Sequence, residues 1–152
     1  MKGSNVKIRE MMYKDIKDVL EIEKMSFATP WSENSFVMEL EKNKLSRYIV
    51  AEKDNRIVGY GGIWVILEEG HITNIAVHKE FRQMGIGELL VKGLIHISKE
   101  LSIERMTLEV RQSNNPAISL YEKYGFKSVG IRENYYSDNN EDAIIMWKEL
   151  NL

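Results

Sequence analysis

The stretch FRQMGIGELL, residues 81–90, constrains the fold more than any other part of the chain. Before it lies HITNIAV (71–77), whose alternation suits a half-buried strand. After it, Leu89, Leu90, Leu94 and Ile97 recur on one helical face, which predicts a helix from about Gly85 to Glu100. A strand must therefore end, the backbone turn tightly on two glycines, and a helix begin, all inside this one segment. A helix start of this kind presents amide N–H groups that have no partner within the helix, and such groups attract an anion. A glycine pair also serves as a plain helix-initiating turn, so the ligand has to be argued from the remaining residues.

Those residues read as one unit. VKIRE (6–10) alternates like a strand, and from Tyr13 to Phe27 the period becomes helical, with Ile16, Val19, Leu20, Ile22 and Glu23 distributed around it. FATPWS interrupts that helix, and Ser32 is a natural N-cap for a second one to about Lys42, with Phe36 and Leu40 inward. Residues 47–66 predict two strands around an Asp54-Asn55 turn, followed by a turn at EEG (68–70). RMTLEV (105–110) predicts a strand. NNPAISLYEKYG predicts a short helix with Asn115 as N-cap, Pro116 at its first position and Gly125 past its end. FKSVGIRE (126–133) and DAIIMWKEL (142–150) are closing strands around a polar YYSDNNE loop. Without repeats or linkers, the expectation is one α+β domain over 1–152. Its sheet is mixed and mostly antiparallel, of about seven strands flanked by about four helices.

Composition narrows the function. The 152 residues are 43% hydrophobic, enough for a core without covalent staples, and there is no cysteine, so disulfides, thiolate metal sites and a cysteine nucleophile are excluded. A net charge of -2 argues against nucleic-acid binding through a broad basic surface. The start, MKGSNVKIRE, lacks the apolar run of a signal peptide, and no stretch approaches the roughly 18 apolar residues of a membrane span. A cytoplasmic protein with no membrane partner, a monomer or weak dimer, is expected. His71 and His78 sit on or beside one strand and His96 on a helix surface, which is no metal constellation, so no metal is expected.

Arg82, Gly85 and Gly87 form an R-x-x-G-x-G spacing between strand and helix. No Lys-Ser/Thr pair follows, as a P-loop requires, and the third glycine of the dinucleotide fingerprint is missing. NIAVHKEFRQMGIGELLV resembles the acyl-CoA-binding segment of the GNAT N-acetyltransferase superfamily, and LEVRQSNNPAISLYEKYGF resembles the segment that follows it there. The resemblance covers nearly the whole chain. It implies a V-shaped gap between the strand ending at Val77 and the strand at 105–110, with acetyl-CoA wedged in it as co-substrate. It also implies that the amides of Ile75, Ala76 and Val77 bind the pantetheine arm. Those of Gln83, Met84, Gly85, Ile86, Gly87 and Glu88 would bind the pyrophosphate. Glu88 adds a negative charge that the helix dipole tolerates, and it can point to solvent.

Acetyl transfer to an amine needs a neutral nucleophile, a stabilised oxyanion and a proton for the leaving thiolate. Glu109 lies mid-strand, on the face of Thr107 and Arg111 and opposite Met106, Leu108 and Val110. Facing a cleft, its carboxyl would be partly desolvated and its pKa raised toward a base's range. The alternative is a solvated residue paired with Arg111. Tyr121 is a candidate acid, with a core tyrosine as the alternative and Tyr124 as its rival. The family pattern L-Y-x-x-x-G-F falls on Leu120, Tyr121, Gly125 and Phe126 and implies Tyr121. Asn114 matches a position that touches the cofactor, or is a turn residue.

Within the superfamily the chain is similar to the RimI type, which acetylates the N-terminal alanine of a small-subunit ribosomal protein. The marks are Phe27, Pro30, Trp31 and Ser32 (F-x-x-P-W-S), N-I-A-V (74–77), L-E-V-R-x-S-N (108–114), R-x-N-Y-Y (132–136) and E-D-A-I-I-M (141–146). The resemblance implies Glu109 as base and Tyr121 as acid, with Trp31, Tyr135 and Tyr136 flanking a peptide entrance. Trp31 also suits a staple for the second helix. An α-amine is the easier nucleophile: at pH 7 its deprotonation costs roughly 1 kcal/mol, against about 5 for lysine. Two other readings stand beside this one. A small amine would be drawn by the acidic Asp138, Glu141 and Asp142, and a non-catalytic acyl-CoA-binding module would have no need of Glu109 and Tyr121.

Overall fold

Asp54 and Asn55 both adopt positive φ, 51° and 63°, the backbone that a two-residue hairpin turn requires. In the computed structural model, which describes residues 5–150, this turn joins β2 (Ser46–Lys53) to β3 (Arg56–Ile66). Residues 1–4 and 151–152 of the expected domain lie outside the described residues. Leu67, also at positive φ, turns the chain into β4 (Glu69–Val77), so the turn falls just before the EEG segment and the strand begins two residues earlier than expected. β1 (Lys7–Glu10) pairs with β2 at one edge.

Helices fill the connections. A 3-10 turn at Tyr13–Asp15 leads into α1 (Ile16–Ser26). Ser32 caps α2 (Glu33–Glu41), its Oγ accepting the Ser35 N–H at 3.1 Å. α3 (Ile86–Glu100) links β4 to β5 (Arg105–Arg111). α4 (Asn115–Lys123) is capped by Asn114 rather than Asn115, with Oδ1 accepting the Ala117 N–H at 3.3 Å. β6 (Lys127–Tyr136) and β7 (Glu141–Glu149) close the sheet. Tyr135 and Tyr136 thus end a strand instead of lying in the loop between them.

The sheet order is β1-β2-β3-β4-β5-β7-β6, and among the described residues only the β4–β5 pairing is parallel, because α3 supplies the crossover that a parallel pair needs. This is the seven-stranded, four-helix α+β arrangement expected from the sequence. Strand alternation sends side chains to two cores. Ile49, Ala51, Leu108 and Val110 pack with Leu90 and Leu94 of α3 and Tyr121 of α4 on one face. Tyr48, Val50 and Tyr60 pack with Val19 and Ile22 of α1 and Phe36 of α2 on the other. Each large apolar side chain so buried contributes about 1.5–3 kcal/mol relative to exposure.

Tyr48 lies across Gly62 on the neighbouring strand. A Cβ at Gly62 would sit 2.2 Å from the Tyr48 ring, whose hydroxyl is anchored to Glu39 Oε1 at 2.8 Å. Gly62→Ala is expected to cost about 1–3 kcal/mol in urea unfolding through overpacking. Gly130→Ala, where the nearest atom lies 3.7 Å away, should change little. Equal midpoints for the two variants would contradict this packing.

Candidate active site

β4 and β5 pair through only three residues each: Glu69↔Arg105, Gly70↔Met106 and His71↔Thr107. Immediately beyond His71 the β3–β4 register shifts, Gly62 facing Asn74 and Ile63 facing Ile72, so Thr73 is an extra, bulged residue. A bulge bends its strand. β4 then continues against β3 as far as Gly59↔Val77, while β5 continues against β7 to Arg111↔Ala143. The two strands part, and a cleft of about 340 Å³ opens between them, lined by Ile72 to Ile75 of β4 and Leu108 to Arg111 of β5. Among the described residues, the edge of β4 toward β5 has no strand partner from Ile72 to Val77.

The glycine loop continues from that open edge. Arg82 staples it in place, Nε donating to the Val77 carbonyl at 3.0 Å and Nη2 to Ser26 Oγ at 3.4 Å. His78 is buried and its Nδ1 accepts the Glu80 N–H at 3.1 Å. Gln83 (φ 64°) and Gly85 (φ 83°) are both left-handed, and Met84 packs on the core below. This turns successive amides outward as a nest, and those of Ile86, Gly87 and Glu88 open α3 without helical acceptors. A Cβ built on Gly85 would meet no atom within 4 Å, so the space in front of the loop is open. The Glu88 side chain does not simply point to solvent. Its Oε1 accepts from Lys123 Nζ and Tyr124 Oη, both at 2.6 Å, tying α3 to α4.

Glu109 is nearly buried at the cleft wall and faces away from Leu108 and Val110, as the alternation implies. Its Oε1 lies 2.9 Å from His71 Nε2, and Arg132 Nε is 3.9 Å from Oε2. The hydrogen bond from His71, reinforced by the charge of Arg132 and a bond from Tyr135, outweighs burial and holds this carboxyl below the usual range. The expected upward shift is therefore overturned: desolvation is present, but the cationic and hydrogen-bonding neighbours exceed it. Nor does Glu109 pair with Arg111. That guanidinium sits over the Tyr136 ring at 4.0 Å and binds Asp138 at 3.0 Å and Glu141 at 3.4 Å.

Tyr121 projects from α4 into the same cleft and is buried, and burial pushes its phenol up. Tyr124 is engaged elsewhere: the bond to Glu88 raises its phenol to about 12. Asn114 reaches the cleft as well as capping α4. Trp31 packs on Phe36, ring centroids 5.2 Å apart, and also lines the cleft, so it staples α2 and faces the opening together. Tyr135 and Tyr136 stand edge-to-face, centroids 5.1 Å apart, on the opposite wall.

Sequence reasoning passed over Glu23 and His71. Glu23 is 2% exposed, accepts the Trp31 N–H at 2.8 Å and the Tyr60 hydroxyl, and lines the cleft, where burial pushes its carboxyl up. The available signal was an acid on the buried stripe, one turn past Val19. Nothing in the sequence pairs His71 with Glu109, since the pairing depends on strand register. Among the described residues no group of three or more His, Asp and Glu side chains is placed to hold a metal ion, and no helix is long and apolar enough to cross a membrane.

The model of the Acetyltransferase (GNAT) family matches residues 16–126. The chain belongs to the GNAT family. It is 46% identical over 144 residues to a Bacillus subtilis (strain 168) protein named as a candidate ribosomal protein bS18-alanine N-acetyltransferase, covering 95% of each. It is 37% identical over 134 residues to the ribosomal protein bS18-alanine N-acetyltransferase of Salmonella typhimurium, covering 87% of this chain and 89% of that one. The crystal structure of the ribosomal-protein-S18-alanine N-acetyltransferase from Escherichia coli superposes with a TM-score of 0.88 at 32% identity, over 97% of this chain and 95% of that one. This GNAT chain is an acetyl-CoA-dependent N-acetyltransferase, and the V-shaped gap expected of the family is the parting of β4 and β5.

Glu141 accepts the Ser113 N–H at 2.7 Å. The bonds from Ser113, then Asn139 and Arg111, lower its carboxyl from the ordinary 4.5 to about 2. A carboxyl depressed in the folded state stabilises above its unfolded value and loses that contribution as pH falls toward the folded one. Glu141→Gln is therefore expected to lower the melting temperature at pH 7, with the difference from wild type shrinking between about pH 4.5 and 2. A difference independent of pH would count against the charged cluster.

Proposed function

We propose that this enzyme transfers the acetyl group of acetyl-CoA to the N-terminal α-amine of a protein that begins with alanine, a small-subunit ribosomal protein. The observation that carries the reading is the placing of Glu109 and Tyr121 on one cleft from opposite faces of the sheet. The names of the relatives support the choice of substrate: the Salmonella and Escherichia coli proteins are ribosomal bS18-alanine N-acetyltransferases. In the cell this is cytoplasmic work, on a protein rather than a nucleic acid.

Acetyl-CoA supplies a thioester carbonyl at the cleft. The open β4 edge at Ile75, Ala76 and Val77 holds the pantetheine arm by main-chain bonds, and the amides of Gln83 to Glu88 hold the pyrophosphate, with Asn114 beside the arm. Trp31, Tyr135 and Tyr136 flank the entering peptide. Glu109 takes a proton from the α-ammonium, so that the neutral nitrogen attacks the thioester carbon directly. As the carbon–sulfur bond breaks, Tyr121 gives its proton to the departing sulfur, and the second proton that the nitrogen loses as the amide forms restores the phenol through solvent. Its buried, raised phenol keeps that proton until a strongly basic thiolate appears. The small-amine reading loses its support in the acidic turn. Asp138 and Glu141 are spent on Arg111, and Asp142 accepts the Asn134 N–H at 2.9 Å.

Thiol release from acetyl-CoA is expected with a short peptide beginning Ala-Arg, and not with the same peptide N-terminally blocked and carrying an internal lysine. Glu109→Gln should lower turnover with the first peptide more than about tenfold while leaving acetyl-CoA affinity near normal. Release from the blocked peptide would move the reading to lysine, and near-normal turnover in the variant would remove Glu109 as base. Gly85→Val forces a branched side chain into a left-handed backbone and into the open space before the loop amides. It should weaken acetyl-CoA binding by at least about tenfold by calorimetry, and undiminished binding would refute the pyrophosphate loop.

A further inference from the structure

We propose that Lys123 and Tyr124 are positioning residues for cofactor binding: by drawing the Glu88 carboxylate onto α4, they keep it from folding back onto the loop amides that receive the pyrophosphate. This rests on the reading of residues 83–88 as the pyrophosphate loop.

Glu88 is the third residue of α3, and Gly85 is the N-cap of that helix. The spacing is half of a capping box, in which a glutamate at the third helical position reaches back and accepts the N-cap amide. In this loop such a bond would consume an amide of the nest. It would also set a negative charge where a phosphate has to sit. The local preference of the chain is therefore a self-capped loop that opposes its own ligand. The structure sends the carboxylate the other way: Lys123 Nζ and Tyr124 Oη both donate to Oε1 at 2.6 Å.

The fold brings these two donors to that one oxygen. Lys123 ends α4 and Tyr124 follows as its C-cap, so both stand at the same end of the helix. Gly87 lets α4 approach the first turn of α3, since a Cβ there would already touch Leu120 Cδ2 at 3.4 Å. The basic residue of the loop itself is committed elsewhere, Arg82 being bound to the Val77 carbonyl and the Ser26 hydroxyl. Lys92, one turn beyond Glu88 on α3, adds positive charge on the same side, its Nζ 5.9 Å from the centroid of the Tyr124 ring.

Both partners keep their roles at neutral pH. The bonds from Lys123 and then Tyr124 hold the Glu88 carboxyl below its usual range, and the Tyr124 phenol, raised to about 12, remains a donor. The Lys123 side chain is 63% exposed, and an ion pair so open to water adds little to stability. Its effect lies in where it puts the charge. A carboxylate released toward the nest would compete with the phosphate for an amide and repel it, and salt would screen the repulsion.

The test is a double-mutant cycle on acetyl-CoA affinity, measured by calorimetry. Lys123→Ala with Tyr124→Phe is made in the wild type and in the Glu88→Ala background. In the wild type the two substitutions free the carboxylate, and they are expected to weaken binding about three- to tenfold at roughly 50 mM salt, with a smaller loss at roughly 300 mM. In the Glu88→Ala background the same two substitutions should cost no more than about twofold. A general loosening of α4 would instead lower the melting temperature and weaken binding equally in both backgrounds. Equal losses would overturn the role of Lys123 and Tyr124, and so would no loss in the wild type. Gly85→Val separates this from the loop itself. Binding lost in Gly85→Val with no coupling in the cycle would leave the pyrophosphate loop standing and remove the positioning role. Binding intact in Gly85→Val would overturn both.

Discussion

The three-residue parallel pairing of β4 and β5 is the constraint on which the rest of the site depends. A longer ladder would close the sheet and leave no room for a substrate. A shorter one would leave the two halves of the sheet joined only through helices. The bulge at Thr73 comes just after the last pair, so the strand bends away where pairing stops. Main-chain groups that a normal sheet would satisfy internally are left open on β4. An extended ligand arm can complete them as a strand would.

The parting also explains how residues from opposite faces of one sheet reach the same space. Glu109 points away from the core that holds Leu108 and Val110, whereas Tyr121 comes from α4 on the side of that core. An intact sheet would separate them by its full thickness. With the strands apart, a carboxylate and a phenol approach one cleft from two sides, in opposite environments. His71 and Arg132 hold the carboxyl ionised, and burial holds the phenol neutral. Their opposite shifts are the pattern expected of paired proton acceptors and donors.

The walls are tied together by specific side chains. Glu23, deep in α1, binds the Trp31 amide and the Tyr60 hydroxyl and so pins the connection between α1 and α2 to the sheet. Arg82 returns to Val77 and Ser26, so the basic residue of the R-x-x-G-x-G spacing supports the loop rather than standing free in front of it. Arg111 clamps the end of β5 to the turn between β6 and β7.

The element order, the two glycines at a strand-to-helix junction, the Ser32 cap and the inward face of Met106, Leu108 and Val110 were all legible in the sequence. Each is a local property of spacing and backbone conformation. The Asn114 cap, the Leu67 turn and the strand placement of Tyr135 were read one to a few residues off, because neighbouring polar residues offer near-equivalent local choices that tertiary packing decides. The ionisation of Glu109 was read in the wrong direction for a deeper reason. Desolvation can be guessed from a strand pattern, but the partners that overcame it, His71 and Arg132, lie 38 residues before it and on β6. Only strand register and the parting of β4 from β5 bring them to that carboxylate. By itself, the sequence determined the elements, their order and the glycine turn that opens α3. The tertiary structure alone decided which charges meet, because electrostatic interaction depends on distance in space and not on separation along the chain.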